Sequence, residues 1–265
     1  MKRIGNRGGR PSGFRRTAAM LCFAAAMVPA APAAAHAVAP RAAAPAPSEV
    51  ETLSAELAVL LNPTDKMTAY FRSDAFGATL RAGIMADANV ARLEQQHPGI
   101  VAALLARMQP VLADEMAKVM PELVQQIAAI YAARFTAPEL REALAFCRSP
   151  AGQRLVSGIN DHALGAGTDL GIKSARNDTQ ITAGQIQAGA VESSVTALAG
   201  LSPADRAEVQ RFSLTSAGRK LNATMPEVSA TVAAWVSAPR PELQGRINQI
   251  MLTEAQAFLA REKAQ

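Results

Sequence analysis

The sequence predicts an all-α protein, a multi-helix bundle built from a duplicated helical unit that follows a cleaved signal peptide. Three observations lead to this prediction. Apolar residues recur at steps of three and four, and the alternating β-branched patterns of strands are absent. In addition, the segment 135–155, FTAPELREALAFCRSPAGQRL, returns without a gap at 201–221 as LSPADRAEVQRFSLTSAGRKL. The constant offset of about 66 residues is typical of a repeated helical unit.

Residues 1–37 are predicted to be a signal peptide. Six basic residues precede or border an apolar run that ends at Ala35-His36-Ala37, a small-x-small cleavage pattern. The run from Ala18 to Val28 is too short for a bilayer span, which needs about 20 apolar residues, so no permanent membrane anchor is expected. The predicted location is therefore periplasmic or secreted. The pair Arg15-Arg16 leaves a twin-arginine signal as the alternative to general secretion.

The net positive charge of the chain comes from residues 1–37. Of 27 basic and 22 acidic residues, six basic and no acidic ones lie within 1–37, which leaves 21 basic against 22 acidic residues. A nucleic-acid partner is not expected, because it would require a basic surface on the mature protein. Residues 38–47 are rich in Ala and Pro and are predicted to form a flexible tether.

A first helical unit is predicted over residues 48–160. Its first helix spans Ser48–Asn62, and its apolar stripe consists of Val50, Leu53, Leu57, Leu60 and Leu61. The stretch Ala78–His97 is helical by composition, with an interruption expected at Gly83. Pro121 is predicted to begin the long helix that runs from Glu122 to Arg134 into the repeated segment.

Capping chemistry defines the first copy of the repeat. The Thr136 hydroxyl can accept from orphan helix N–H groups, and Glu139 three residues later completes a capping box. Ser149-Pro150 begins a second helix at a sharp angle, because proline is tolerated in a first turn. The small residue Gly152 follows at the bend and would let two helix backbones approach closely.

These residues carry a family resemblance. The residues concerned are Phe135, Thr136, Glu139, Phe146, Arg148, Ser149, Pro150 and Gly152. They resemble the bacterial exported domain family of unknown function designated DUF2059. The resemblance implies a helical domain in secreted proteins, and it implies no known activity, ligand or catalytic residue.

The second copy is degenerate, and residues 201–265 are predicted to form a second helical unit. It keeps Ser202, Asp205, Phe212 and Gly218, whereas Leu201, Leu214 and Ser216 replace family-like residues. Met225-Pro226 is predicted to begin a helix that extends through Trp235, and a final helix is predicted from Glu242 to Glu262.

Residues 161–200 form a Gly-rich connecting segment between the two units. Its glycines predict a weak or broken helix. We expect either a linker or a loosely packed pair of helices, with a polar helix over Ile172–Ala190 as the alternative.

No catalytic, cofactor-binding or metal-binding set is expected. Cys147 is the single cysteine beyond the leader, and its place on an apolar stripe indicates a buried thiol. His97 and His162 lie in no ligand motif. The acidic residues of the repeats lie in first helical turns, where they favour the helix dipole.

Two functions follow as hypotheses. The favoured one is a noncatalytic module of the cell envelope that binds either another envelope protein or an amphiphilic ligand held between helices. The alternative is an unrecognised periplasmic hydrolase acting on cell-wall or lipid material, with carboxylates or Ser149 near His162. The oligomeric state and the packing of the two repeats stay open at this point.

Overall fold

A computed structural model describes residues 48–177 and 179–264, and the predicted signal peptide and tether lie outside these residues. The described chain forms helices joined by short turns. They are α1 (Glu49–Leu61), α2 (Thr64–Phe71), α3 (Asp74–Met85), α4 (Ala88–Gln96), α5 (Ile100–Arg134), α6 (Ala137–Arg148), α7 (Pro150–Asn177), α8 (Ala183–Gly200), α9 (Pro203–Ser213), α10 (Ser216–Val236) and α11 (Pro241–Lys263). No strand occurs in the described residues, which confirms the all-α prediction.

The 35-residue helix α5 forms the centre of the core, and α1, α2, α10 and α11 pack against it. The prediction that Pro121 begins a helix is wrong, because Pro110 and Pro121 both lie inside α5. A proline within a helix removes one backbone hydrogen bond and costs about 3 kcal/mol. Burial of the flanking side chains offsets this cost, and the buried residues around the two prolines are Met108, Leu112, Met116, Met120, Leu123 and Val124.

Two further boundaries differ from the sequence prediction. Gly83 lies inside α3, and the chain instead breaks before α4, where the Asp87 carboxylate accepts from the backbone N–H groups of Asn89 and Val90. Gly83 permits close packing of α3 on α7, since a Cβ there would lie 2.9 Å from Cδ1 of Ile172. Pro226 likewise lies inside α10 and does not begin a helix.

The Gly-rich segment consists of the end of one helix and the whole of another, so it forms a pair of helices, which was one of the expected alternatives, rather than a linker. Helix α7 continues for 28 residues, and α8 packs along it after a turn at residues 179–182. This turn also excludes a single helix over residues 172–190. Gly158 brings the two helices together, since a Cβ there would lie 3.0 Å from Cβ of Ala197. Packing between helices thus outweighs the poor helix propensity of glycine.

The final helix is confirmed as α11, which packs its buried stripe on α5. That stripe consists of Leu243, Ile247, Met251 and Ala255. Polar contacts also hold this helix: Glu254 forms an ion pair with Arg107 at 3.1 Å, and Glu262 lies at hydrogen-bonding distance, 2.6 Å, from Nδ1 of His97. In the described part of the chain, no helix combines the length and the apolar character needed to cross a membrane.

The start of α5 yields a test of the fold. Gly99 precedes α5 with φ 94°, a left-handed conformation. We expect Gly99→Ala to lower the free energy of unfolding by about 1–2 kcal/mol, because a Cβ is strained there. Urea denaturation measures this change. Gly245→Ala is the matched control, since Gly245 lies in α11 with open space around it and the change should leave stability equal or higher. Equal midpoints for both variants would contradict the expectation.

Candidate functional site

Both copies of the repeat build the same local structure. In the first, the backbone N–H of Thr136 donates to Oε2 of Glu139 at 2.9 Å and closes a capping box at the start of α6. In the second, the hydroxyl of Ser202 donates to Oδ2 of Asp205 at 2.7 Å and accepts from the Asp205 N–H at 3.2 Å. The repeat also includes the helix before each motif, because α8 corresponds to residues 117–134 of α5 at the same offset.

A glycine determines the sharp bend after each capped helix. A Cβ on Gly152 would collide with the carbonyl oxygen of Phe146 and lie 2.9 Å from Cα of Cys147. A Cβ on Gly218 would collide with the carbonyl oxygen of Phe212 and lie 2.9 Å from Cα of Ser213. The obstructing atoms are backbone atoms that cannot rotate away, so only glycine fits at either position.

The two copies pack face to face. The rings of Phe146 and Phe212 stack with centroids 4.0 Å apart and planes 5° from parallel. Two ion pairs also join the copies: Glu139 pairs with Lys220 at 2.6 Å, and Arg154 pairs with both carboxylate oxygens of Asp205.

These contacts are reciprocal, because Asp205 is the equivalent of Glu139 and Lys220 is the equivalent of Arg154. The helices obey the same relation, since α6 packs on α10 and α7 packs on α9. Reciprocal contact of this kind is the signature of a two-fold, isologous interface between like units. We call it the paired-motif interface, and it shows that the two repeats pack together.

Hydrogen bonds saturate the first carboxylate of this interface. Glu139 also accepts from the Ser216 hydroxyl at 2.6 Å and from Thr136. The Lys220 ammonium foremost, followed by these donors, lowers the pKa of Glu139 from 4.5 to about 2.

The second carboxylate is held in the same way. The hydrogen bond from the Arg154 guanidinium foremost, then that from Ser202, lowers the pKa of Asp205. Beside this pair, the Ser149 hydroxyl accepts from the N–H of Gly152 at 3.2 Å and donates to Oε1 of Glu208 at 2.5 Å. The charged and hydroxyl groups of the interface are thus occupied with one another.

The structure brings most of the sequence-predicted motif residues into this interface or its helix caps. They are Phe135, Thr136, Glu139, Phe146, Ser149, Pro150, Gly152, Ser202, Asp205, Phe212 and Gly218, with Phe135 buried and Pro150 at the first position of α7. Sequence reasoning aligned Arg154 with Lys220 but missed that each pairs with the acid of the other copy. One feature of the sequence could have revealed these pairs: both copies keep an acidic residue and a basic residue at equivalent positions.

Burial of the single described cysteine is confirmed. Cys147 is buried, and this burial raises the pKa of its thiol to about 11. The pKa of Tyr131 is raised mainly by burial of its side chain, and to a smaller extent by the neighbouring Cys147. At neutral pH the thiol is therefore protonated and is a poor nucleophile.

One of the groupings named in the hydrolase hypothesis, Ser149 beside His162, does not form. Ser149 precedes α7 and His162 lies within it, about 20 Å along the axis at about 1.5 Å per residue. His162 is exposed. The structure therefore does not bring Ser149 and His162 within hydrogen-bonding distance.

The copies differ in what covers them. Helix α1 packs against both α5 and α6, and its residues Glu49 and Glu56 form ion pairs with Arg141 and Arg148. Beneath α1 the stripe of α6 is buried and apolar, and it consists of Leu140, Ala143, Leu144 and Cys147. The equivalent residues of α9 are Arg206, Val209, Gln210 and Ser213, of which all but Val209 are exposed.

Residues 121–160 match the model of a bacterial family described as "Uncharacterized protein conserved in bacteria (DUF2059)". The match covers the end of α5, all of α6 and the start of α7, so it confirms the resemblance carried by the first motif copy. It does not include the second copy. No curated protein and no solved structure matches the chain.

Glycine substitution tests the bend. We expect Gly152→Ala and Gly218→Ala each to lower the free energy of unfolding by more than about 3 kcal/mol, because backbone must move to admit the Cβ. Gly165→Ala in α7 is the control, since nothing lies within 4 Å of its added Cβ and helix propensity favours alanine. Thermal melts followed by circular dichroism compare the three. A mild effect at 152 and 218 would show that the bend can relax.

The pH dependence of stability tests the Glu139 cluster. The folded-state pKa of about 2 lies below the ordinary value of 4.5. Glu139 therefore stabilises the fold above pH 4.5, and this contribution is lost as the pH falls towards 2. We expect the urea midpoint of the natural protein to fall more steeply over this window than that of Glu139→Gln. Parallel curves for the two proteins would refute the role of Glu139.

Proposed function

We propose that this protein is a noncatalytic interaction module of the bacterial cell envelope, exported through the leader at residues 1–37. Three features support the proposal. The leader has the charge and hydropathy pattern of a secretory signal, the matched family is bacterial, and the polar groups of the motif are occupied in pairing two helical units. The paired-motif interface then serves as a rigid frame for surfaces that contact a partner.

The proposal is based mainly on the apolar residues that α8 exposes to solvent. Val191 and Val195 are 56% and 61% exposed, and Ala188 beside them is exposed as well. Ala188 and Val191 stand where the equivalent positions of α5 carry the exposed polar residues Glu122 and Gln125.

The repeat thus allows a comparison within one chain, because these two exposed positions are polar in α5 and apolar in α8. Exposed apolar residues that recur along one helix face are typical of an interaction surface. We infer that a partner covers the α8 face, and that this partner is an envelope protein or an amphiphile.

The test begins with native mass spectrometry of the mature protein, isolated gently from the periplasm of its own bacterium. We expect a chain that starts near Val38 and retains a defined bound mass. The double variant Ala188→Glu, Val191→Gln restores the polar residues of α5, and it should lose this mass without loss of thermal stability. Val59→Gln is the matched control, since Val59 is an exposed valine on α1 and its replacement should leave the bound mass unchanged.

Three outcomes would count against the proposal. A mature protein without any bound mass would remove tight binding, and a bound mass that persists in the double variant would exclude the α8 face. An intact leader on protein found in the cytoplasm would exclude export.

A further inference from the structure

The exposed side of α9 carries basic residues around an apolar centre. Leu214 ends the helix in a helical conformation, and at 66% it is the most exposed large apolar side chain in the described part of the chain. At about 100° per residue, Arg206 lies about 80° from Leu214 on one side of the helix, and Arg211 lies about 60° away on the other side. Ala207 lies between the two arginines, and all four residues are exposed.

A third arginine reaches the same place from the next helix. Arg219, in the first turn of α10, donates through Nη1 to the carbonyl oxygen of Leu214, so its guanidinium lies beside the exposed leucine. We call the surface formed by Arg206, Arg211, Leu214 and Arg219 the arginine-rimmed face. Among the described residues, none of its arginines forms an ion pair with a carboxylate.

The two acids of α9 lie away from this face. Asp205 is buried and pairs with Arg154, and Glu208 accepts from the Ser149 hydroxyl at 2.5 Å. Both contacts are on the side of α9 that packs on α7. Residues 38–265 as a whole are close to neutral, with 21 basic against 22 acidic residues. The positive charge of the arginine-rimmed face is therefore local.

The first copy has a different arrangement at the equivalent positions. Three of its uncharged positions carry arginine in the second copy, and two of its arginine positions carry an apolar residue. The first three pairs are Leu140 and Arg206, Ala145 and Arg211, and Gln153 and Arg219, and the other two are Arg141 and Ala207, and Arg148 and Leu214. The second copy thus has basic residues at the rim of the exposed side and apolar residues at its centre.

We propose that the arginine-rimmed face docks on an anionic phospholipid surface, with Leu214 in the interface and the arginines against lipid phosphates. Apolar residues with basic residues beside them are typical of helices that lie in a membrane interface. The long arginine side chains can bury their stems while the guanidinium groups stay at the phosphates. This inference rests on the proposed function for its location in the envelope, and it adds a second surface to the α8 face.

The apolar centre distinguishes a membrane from other anionic partners. A nucleic acid or an acidic peptide would neutralise the arginines but would leave Leu214 against charged groups, whereas a lipid interface accepts both. The chain's own residues 1–47 contain basic residues and no acidic ones, so they do not complement this face. With one leucine and three arginines in contact, the binding is weak, reversible and reduced by salt.

The test measures binding of the mature protein, residues 38–265, to vesicles by co-sedimentation. We expect binding to vesicles of phosphatidylglycerol and phosphatidylethanolamine that weakens as salt rises, and no binding to vesicles of phosphatidylcholine alone. The double variant Arg211→Ala, Arg219→Gln should lower the partition coefficient roughly 25-fold, because each basic residue near an anionic membrane strengthens binding by about fivefold.

Both replacements are the residues of the first copy, so the fold should tolerate them. Gln153, the counterpart of Arg219, donates to the carbonyl oxygen of Arg148 at 3.1 Å and thus makes the equivalent helix-end contact. The matched control is Arg92→Gln with Lys118→Gln, which removes the same charge from two exposed residues without an ion pair in the described part of the chain. It should bind as the natural protein does.

A second measurement locates the contact. Leu214→Cys carries an environment-sensitive fluorophore, which attaches selectively because Cys147 is buried. We expect its emission to shift to the blue when phosphatidylglycerol vesicles are added, whereas the same label at Val59→Cys on α1 should not respond.

Four outcomes would overturn the inference: no binding to the anionic vesicles at low salt, equal binding to both kinds of vesicle, unchanged binding of the double variant, or no response of the label at position 214. Binding of polyglutamate or a DNA oligonucleotide through Arg211 and Arg219, without binding of vesicles, would overturn it as well. A bound mass that depends on Val191 but no vesicle binding would overturn this inference and leave the proposed function standing.

Discussion

The packing of a glycine against a carbonyl oxygen, once in each copy, is the constraint on which the structure depends. Gly152 and Gly218 allow the chain to leave one short helix and begin the next without the separation that a side chain would impose. Because the two bends are alike, each carries its following helix across the other copy. The stacked phenylalanines and the reciprocal ion pairs therefore depend on both bends.

The two copies have adapted to different surroundings within one chain. The first is covered by α1 and keeps an apolar stripe on α6, whereas in the described part of the chain the equivalent residues Arg206, Gln210 and Ser213 of α9 are polar and exposed. Burial favours apolar side chains and solvent favours polar ones. The degeneracy of the second copy is therefore explained by what covers it, while the residues that join the copies are retained.

Comparison of the two copies also shows which surfaces differ between them. Polar groups of the matched segment hold the copies together, so the motif itself is a structural element. The surfaces that depart from the internal pattern lie on two neighbouring helices, since α8 exposes valines and α9 exposes arginines.

Local rules determined the helix starts, the capping boxes and the repeat, because these depend on residues only a few positions apart. The sequence therefore predicted the all-α fold, the motif residues and the burial of Cys147. It failed at Pro121 and Pro226, and it did not predict how far α7 extends into the Gly-rich segment, because packing between distant helices outweighs local propensity there. Only the tertiary structure decided that Glu139 meets Lys220 and that Asp205 meets Arg154. Such pairs join residues far apart in the chain, so their geometry exists only once the two bends have placed the copies face to face.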